Sequence, residues 1–154
     1  MPHVPGLRSC YDKVGRLVYF GRMLDKIRLH PAGQLPAEYV ANLGDQGEPT
    51  LFDARCCRFL RVSYAAVRTR TLAGGTDGEI LAWCHEQGGA RTDEECDIWN
   101  MFLSKRGWRD ASTARLQQRC IDVGVADRSA VTWFEMIDYD EGRDPATTRP
   151  WEKL

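Results

Sequence analysis

The chain has 154 residues, of which 43% are hydrophobic and 28% charged, and its formal net charge is −1. This length predicts a single domain over residues 1–154 with a sizeable core, and the composition is typical of globular proteins. No apolar segment approaches the roughly 20 residues that cross a bilayer, so the sequence predicts no membrane-spanning helix. The opening segment, MPHVPGLRS, lacks the apolar stretch of a signal peptide, so we expect a cytoplasmic protein without membrane association.

Residues 11–30 are predicted to form the first and most buried helix. Asp12 is placed to cap its start and Pro31 to end it, because the residue before a proline avoids helical angles. Gly21 lies inside the apolar face, where glycine costs about 1 kcal/mol relative to alanine, so we expect close approach by another helix. The apolar face consists of Leu17, Phe20, Gly21, Leu24 and Ile27, with Val14 at its edge.

Arg28 is the unusual residue of this helix, because a helical wheel places it among the apolar side chains. Asp25, one turn earlier, is near enough to pair with it. A buried arginine needs such a partner, so one interpretation is a structural Asp25–Arg28 ion pair. The other is an anion-binding arginine, assisted by basic and tyrosine side chains of the same region. The candidate ligand-binding residues are Tyr19, Arg22, Asp25, Lys26 and Arg28.

The rest of the chain predicts an all-α fold of about seven short-to-medium helices that pack as neighbours. Short helices are expected at residues 36–43 and 52–60. No stretch alternates with a period of two residues, so we expect no substantial sheet. Residues 1–10 are expected to form an extended arm and residues 140–154 an irregular tail, in which Trp151 docks. Further helices are predicted to start at Ser63, Thr76, Thr92, Asp110 and Asp127.

Six cysteines stand at positions 10, 56, 57, 84, 96 and 120. Because no export signal is apparent, we expect reduced thiols that are mostly buried. The neighbouring pairs Cys56–Cys57 and Cys84–His85 point about 100° apart on a helix, so we expect no metal site. Cys57 is surrounded by arginines that favour a thiolate, which leaves a cysteine nucleophile as an alternative.

Charge is distributed unevenly along the chain. Residues 1–77 carry 11 basic and 7 acidic side chains, a balance of +4, whereas residues 78–154 carry 10 basic and 15 acidic ones, a balance of −5. Positive charge is densest in Arg55–Arg70 and negative charge in Glu135–Asp144. These segments either pair within one molecule, are solvated, or form an interface between subunits or with an acidic partner. The net charge disfavours a nucleic acid partner.

No motif in the sequence forms a complete catalytic signature. The glycines form neither GxGxxG nor GxxxxGK[ST], and we expect no cofactor. The sequence therefore favours a small binding or regulatory module that recognises a small anion or a protein partner, including a second copy of the chain. The alternative is an enzyme with an unrecognised active site, for example a cysteine-dependent one.

Four segments resemble a family of small bacterial proteins known as domain of unknown function fifty-sixty-nine. They are HVPGLRSCYDKVGRLVYFGRMLDKIRLH (3–30), FDARCCRFLRVSY (52–64), GGTDGEILAWC (74–84) and WNMFLSKRGWRD (99–110). The resemblance covers almost the whole chain and implies a small, single-domain, intracellular protein. It transfers no catalytic residues, because the family carries no established activity. The resemblance also implies that RMLDKIRLH, which contains Arg28, is the hallmark segment of the family. It implies no general role for Cys10, which stands where relatives often have proline.

Overall fold

The computed structural model describes residues 3–154, most of which lie in helices. The predicted all-α class is confirmed, although the described residues form nine α-helices, two of them only four residues long. The helices are α1 (Phe20–Leu29), α2 (Ala37–Val40), α3 (Phe52–Leu60), α4 (Tyr64–Leu72), α5 (Asp77–Gly88), α6 (Asp93–Ser104), α7 (Thr113–Asp122), α8 (Trp133–Asp140) and α9 (Pro145–Thr148). Short 3₁₀-helices lie at Ala126–Arg128 and Pro150–Lys153.

The helix predicted over residues 11–30 is wrong in its first half. The strands β1 (Lys13–Val14) and β2 (Leu17–Val18) form an antiparallel hairpin, with Lys13 opposite Val18 and Val14 opposite Leu17. Gly15 in the two-residue turn has a φ of +58°, which glycine adopts without steric cost. Asp12 consequently caps no helix, and α1 begins at Phe20 after Tyr19. The apolar spacing that suggested one long helix belongs to a hairpin followed by a shorter helix.

The N-terminal arm packs against the domain. Val4 and Leu7 are buried in it, and Arg8 passes close to Gly21. A Cβ built on Gly21 would lie 2.5 Å from Nη1 of Arg8. The close approach expected at Gly21 therefore exists, but the neighbour is an arginine of the arm and not a second helix. Residues 1 and 2 of the predicted arm lie outside the described residues.

Most of the predicted helix starts are confirmed by their capping hydrogen bonds. Ser63, Thr76 and Thr92 each accept the backbone N–H three residues later. Asp110 accepts the backbone N–H of Ser112, but α7 begins only at Thr113 and its N-cap position is occupied by Ser112 and not by Asp110. Asp127 is wrong as a helix start, because it lies in a 3₁₀ turn. Thr132 caps α8 instead, through a reciprocal capping box with Glu135.

α1 supplies the centre of the main core. Phe20, Met23, Leu24 and Ile27 are almost completely buried there, as the helical spacing predicts. All six cysteine thiols are buried and unpaired, in agreement with the sequence prediction. No helix within residues 3–154 has the length and apolar character that crossing a membrane requires.

The C-terminal tail is more ordered than the sequence suggested. The irregular tail expected over residues 140–154 contains α9 and a 3₁₀ turn, because Asp144 caps α9 by accepting the backbone N–H of Ala146. Trp151 docks against the main core as expected, with its ring centre 6.5 Å from that of Tyr11. The tail therefore forms part of the folded domain.

Candidate functional site

A cavity of about 700 Å³ opens between α1, α2, the start of α3, α7 and α8. Its volume falls within the range of roughly 300–1,000 Å³ typical of small-molecule sites. Its apolar walls include Leu51, Phe52, Trp133, Met136 and Ile137. Arg22, Lys26 and Glu141 are buried at its floor, whereas Arg115 and Arg119 are exposed at its mouth. We refer to it below as the α1–α7 cavity.

Lys26, Asp53 and Tyr19 form a buried cluster at the floor of this cavity. Nζ of Lys26 lies 2.7 Å from Oδ1 of Asp53. The Tyr19 hydroxyl donates to the same oxygen at 2.6 Å and accepts a hydrogen bond from Lys26 at 2.9 Å. The backbone N–H of Gly44 donates to Oδ2 of Asp53 at 3.0 Å. Both buried charges therefore have close partners, which offset much of the cost of removing them from water.

Tyr19 adopts an unusual backbone conformation at this floor. Its φ of +71° is uncommon for a bulky residue and costs on the order of 1–3 kcal/mol. The ring packs edge-on against Phe52, with the ring centres 5.4 Å apart. Burial, together with the negative charge of Asp53, raises the pKa of Tyr19 well above its ordinary value. The hydroxyl is consequently held as a proton donor to Asp53.

Arg22 and Glu141 form a second buried ion pair at the floor. Nη1 and Nη2 of Arg22 donate to the two carboxylate oxygens at 2.8 and 2.6 Å, a bidentate geometry. The Tyr39 hydroxyl also donates to Glu141, at 2.7 Å. Burial pushes the pKa of Glu141 upward, but the bonds from Arg22 and Tyr39 outweigh it and hold the pKa below its ordinary value. The guanidinium of Arg22 is therefore already paired with a carboxylate of its own chain.

Two arginines at the mouth of the cavity are not paired with a carboxylate in this way. Arg115 and Arg119 lie one turn apart on α7, and neither forms an ion pair within residues 3–154. The guanidinium of Arg115 lies over the ring of Trp133, 5.5 Å from its centre, which orients the side chain along an aromatic wall. Arg106, also at the cavity, differs because it pairs with Asp110 at 2.7 Å. Arg115 and Arg119 are therefore the groups best placed to receive an anion.

Asp25 and Arg28 belong to a separate network and do not line the cavity. Nε and Nη2 of Arg8 each donate to Asp25 at 2.8 Å. Nη2 of Arg28 donates to Asp77 at 2.7 Å, whereas Nη1 lies 3.7 Å from Asp25. Arg8 reaches Asp77 as well, at 2.7 Å. These alternating charges join the arm, α1 and α5.

The burial expected for Arg28 among apolar side chains is wrong. Its side chain is 35% exposed, because its long stem carries the guanidinium away from the helix to Asp77 at the start of α5. An Asp25–Arg28 contact does exist, but at 3.7 Å it is the longer of the two ion pairs that Arg28 makes. Asp25 instead has Arg8 as its closest cationic partner.

The structure thus divides the five candidate residues into two groups. Tyr19, Arg22 and Lys26 line the α1–α7 cavity, and Asp25 and Arg28 do not. Sequence reasoning missed the partner carboxylates, Asp53 and Glu141, and the two arginines of α7. The i, i+4 spacing of Arg115 and Arg119 was a usable signal for the latter. No local pattern links Arg22 to a glutamate that lies 119 residues away in the chain.

Cys57 is poorly suited to nucleophilic chemistry. Burial, with the nearby charge of Asp53, raises the pKa of its thiol to about 12, so the thiolate is scarce at neutral pH. Two of the arginines near it in the sequence bond to the backbone, since Arg58 donates to the carbonyl oxygen of Pro49 at 2.6 Å and Arg55 to that of Thr50 at 3.2 Å. Within residues 3–154 no three His, Cys, Asp or Glu side chains are grouped as metal ligands.

Carboxylates of the acidic segment Glu135–Asp144 pair with arginines that lie outside the basic segment Arg55–Arg70. Glu141 of the acidic segment pairs with Arg22 and Arg143. Asp138 is also buried, and it accepts a hydrogen bond from the Ser9 hydroxyl at 2.7 Å. Part of the acidic segment is therefore internal structure of this chain.

Comparison with known sequences places the chain in a family. Residues 4–143 match the family described as Domain of unknown function (DUF5069), and the chain belongs to that family. The resemblance seen in the sequence is therefore confirmed. A search of curated proteins found no match to the chain.

Proposed function

We propose that this member of a family without an established activity is a binding module, and that its α1–α7 cavity takes a small anion with an apolar body. A carboxylate or phosphate group of the ligand would lie between Arg115 and Arg119, and its apolar part would lie against Trp133 and Phe52. Cavity size supports a ligand of drug-like dimensions. The six buried, unpaired thiols are typical of a reducing compartment, which supports the expected cytoplasmic location.

This proposal rests on a difference between the basic residues at the floor of the cavity, which have carboxylate partners, and those at its mouth, which have none within residues 3–154. Arg22 and Lys26, at the floor, are each matched by a buried carboxylate at 2.6–2.7 Å. Arg115 and Arg119, at the mouth, have no carboxylate partner within residues 3–154 and lie beside aromatic and aliphatic walls. Arginine recognises carboxylate and phosphate through paired N–H donors. The anion therefore belongs at α7, and not at Arg28, where the sequence suggested it.

The floor of the cavity contributes shape and polarity without net charge. The Lys26–Asp53 and Arg22–Glu141 pairs are each neutral overall, and their bonds hold α1 against α3 and the end of α8. Because these groups are already ordered in the free protein, a ligand does not have to order them on binding.

Isothermal titration calorimetry with matched probes tests this proposal. The anions are phenylacetate, indole acetate and phenyl phosphate, and phenylacetamide is the neutral control for phenylacetate. We expect at least one aromatic anion to bind, and phenylacetamide to bind at least about tenfold more weakly than phenylacetate, because a hydrogen bond to a charged group contributes roughly 1.5–3 kcal/mol. Measurements at low salt limit the screening of the exposed arginines.

Variants of α7 locate the binding site. Arg115→Gln combined with Arg119→Gln should weaken binding of the anion at least about tenfold and leave the neutral probe unchanged. The control is Arg68→Gln, which removes an exposed arginine outside the cavity. Equal affinity for the anion and its amide, or equal loss in the control variant, contradicts the proposal. Failure of all three anions to bind contradicts it as well.

A further inference from the structure

An exposed apolar surface lies on α6, and its residues do not line the cavity just described. Ile98 and Met101 are 62% and 49% exposed, and the neighbouring Phe102 is 44% exposed. Trp99 and Leu103, on the opposite side of the helix, are buried in the main core, so α6 is held in a fixed orientation. Contiguous exposed side chains of this size are typical of an interaction surface.

Opposite charges flank this apolar surface symmetrically. Glu94, Ile98, Met101 and Lys105 follow i, i+4, i+7 and i+11 spacing, which aligns them along one face of the helix. All four are exposed, and neither Glu94 nor Lys105 forms an ion pair within the described chain. The point midway between Ile98 and Met101 is also the point midway between Glu94 and Lys105. The four side chains are therefore arranged symmetrically about one midpoint. When two copies of this row of side chains lie antiparallel, the apolar residues of one therefore face those of the other, and each acidic residue faces a basic one.

We propose that α6 pairs antiparallel with α6 of a second copy of this chain, across a two-fold axis at that midpoint. Ile98 of each copy then packs against Met101 of the other, and Glu94 of each copy lies opposite Lys105 of the other. A two-fold interface repeats every contact, so each ion pair forms twice. The antiparallel arrangement also places the negative end of each helix dipole beside the positive end of the other. This dimer does not depend on the ligand proposed for the cavity.

The surroundings of Phe102 strengthen the charge complementarity. Arg55 and Arg106 both lie over the Phe102 ring, 5.3 and 5.8 Å from its centre. Burial, with the charges of Arg106 and Arg58, lowers the pKa of Arg55, which reflects the concentration of positive charge at this place. The antiparallel pairing brings the acidic first turn of the other helix, Asp93–Glu95, toward these arginines. A nucleic acid fits the surface less well, because its phosphates would meet the same acidic turn.

Charge reversal with compensation tests the register of this dimer. Sedimentation equilibrium over a concentration series should give a species of twice 17.5 kDa that dissociates on dilution. Glu94→Lys or Lys105→Glu alone should raise the dissociation constant about tenfold, because two exposed pairs become repulsive. The variant carrying both changes should return to within about threefold of the original. Lys153→Glu is the control, since it makes the same charge change at an exposed residue outside α6.

A substitution in the apolar stripe tests the interface itself. Ile98→Asp should leave only the 17.5 kDa monomer, whereas Ile121→Asp should not change association, although Ile121 is equally exposed at 61%. A monomer at every concentration of the original protein would overturn the proposal. So would a dimer that survives Ile98→Asp, or a doubly reversed variant that is no better than the single ones. Circular dichroism of each variant establishes that the helical fold is retained.

Discussion

Lys26 and Asp53 form an ion pair of 2.7 Å in which the two side chains are only 4% and 0% exposed. The Tyr19 hydroxyl bonds to both members, and the Gly44 backbone donates to the second carboxylate oxygen. This arrangement connects α1, the loop before α3 and α3 itself directly beneath the α1–α7 cavity. The shape of the cavity floor consequently depends on a buried ion pair, which water can reach only if the structure opens locally.

The losses of stability on removing each member of this pair should not add when both charges are removed together. Lys26→Met or Asp53→Asn each leaves the other charge buried without its partner, so we expect each to lower the free energy of unfolding by about 3–5 kcal/mol. The double variant Lys26→Met/Asp53→Asn should lose less than the sum of the two losses. Urea unfolding of the four proteins measures this coupling. Strictly additive losses would mean that the pair does not act as a unit.

The network around Asp25 leads to a second stability prediction. Asp25→Asn removes a carboxylate that accepts two side-chain bonds and one backbone bond from Arg8, and we expect a loss of roughly 3 kcal/mol. Arg28→Met should cost only about 1 kcal/mol, because its pairing with Asp77 is partly exposed to solvent. Thermal melts compare the two variants. A larger loss for Arg28→Met would show that Arg28, and not Arg8, is the main partner of this network.

Two glycines of α5 provide a matched test of packing. A Cβ built on Gly88 would overlap the backbone carbonyl oxygen of Leu60, whereas one built on Gly78 meets only a side-chain oxygen at 3.9 Å. Gly88→Ala should therefore destabilise the protein by about 1–3 kcal/mol, because the end of α5 must move away from the end of α3. Gly78→Ala should be neutral or stabilise it by up to about 1 kcal/mol through helix propensity. Denaturant midpoints distinguish the two outcomes, and equal effects would contradict the close approach at Gly88.

Asp138 gives the fold a defined dependence on pH. Burial raises its pKa to about 6, so between about pH 4 and pH 6 the folded protein holds a proton that the unfolded chain releases. The contribution of Asp138 to stability therefore falls as pH rises through this window. Asp138→Asn, which can still accept the Ser9 hydroxyl, should gain stability relative to the original protein over the same range, by about 2–3 kcal/mol in total. Urea unfolding at pH 4 and pH 7 measures the difference, and a constant difference would contradict the raised pKa.

The helical fold was largely predictable because its signals are local. Apolar spacing located α3, and capping side chains located α4, α5 and α6. The hairpin at β1 and β2 was missed because Val14 and Leu17 satisfy a helical wheel as well as a pair of short strands. The left-handed backbone of Tyr19, which separates the hairpin from α1, has no signal in a single sequence, because non-glycine residues adopt it only when the surrounding structure compensates.

The candidate site was predictable only in part. The sequence drew attention to Arg22 and Lys26, and the structure shows that both line the cavity. Their partners, Asp53 and Glu141, come from α3 and the end of α8, and only the tertiary fold brings them to α1. Arg28 attracted attention for its place on the wheel, but the flexible stem of an arginine allows the charge to leave the face on which its Cα lies.

Crystallography with a bromine-labelled probe tests the central claim, anion binding in the α1–α7 cavity, most directly. Crystals grown with saturating para-bromophenylacetate should give an anomalous bromine peak against the apolar wall formed by Trp133 and Phe52. The carboxylate should lie within hydrogen-bond distance of Arg115 and Arg119. A bromine peak outside this cavity, or a cavity without the probe at saturating concentration, would contradict the account.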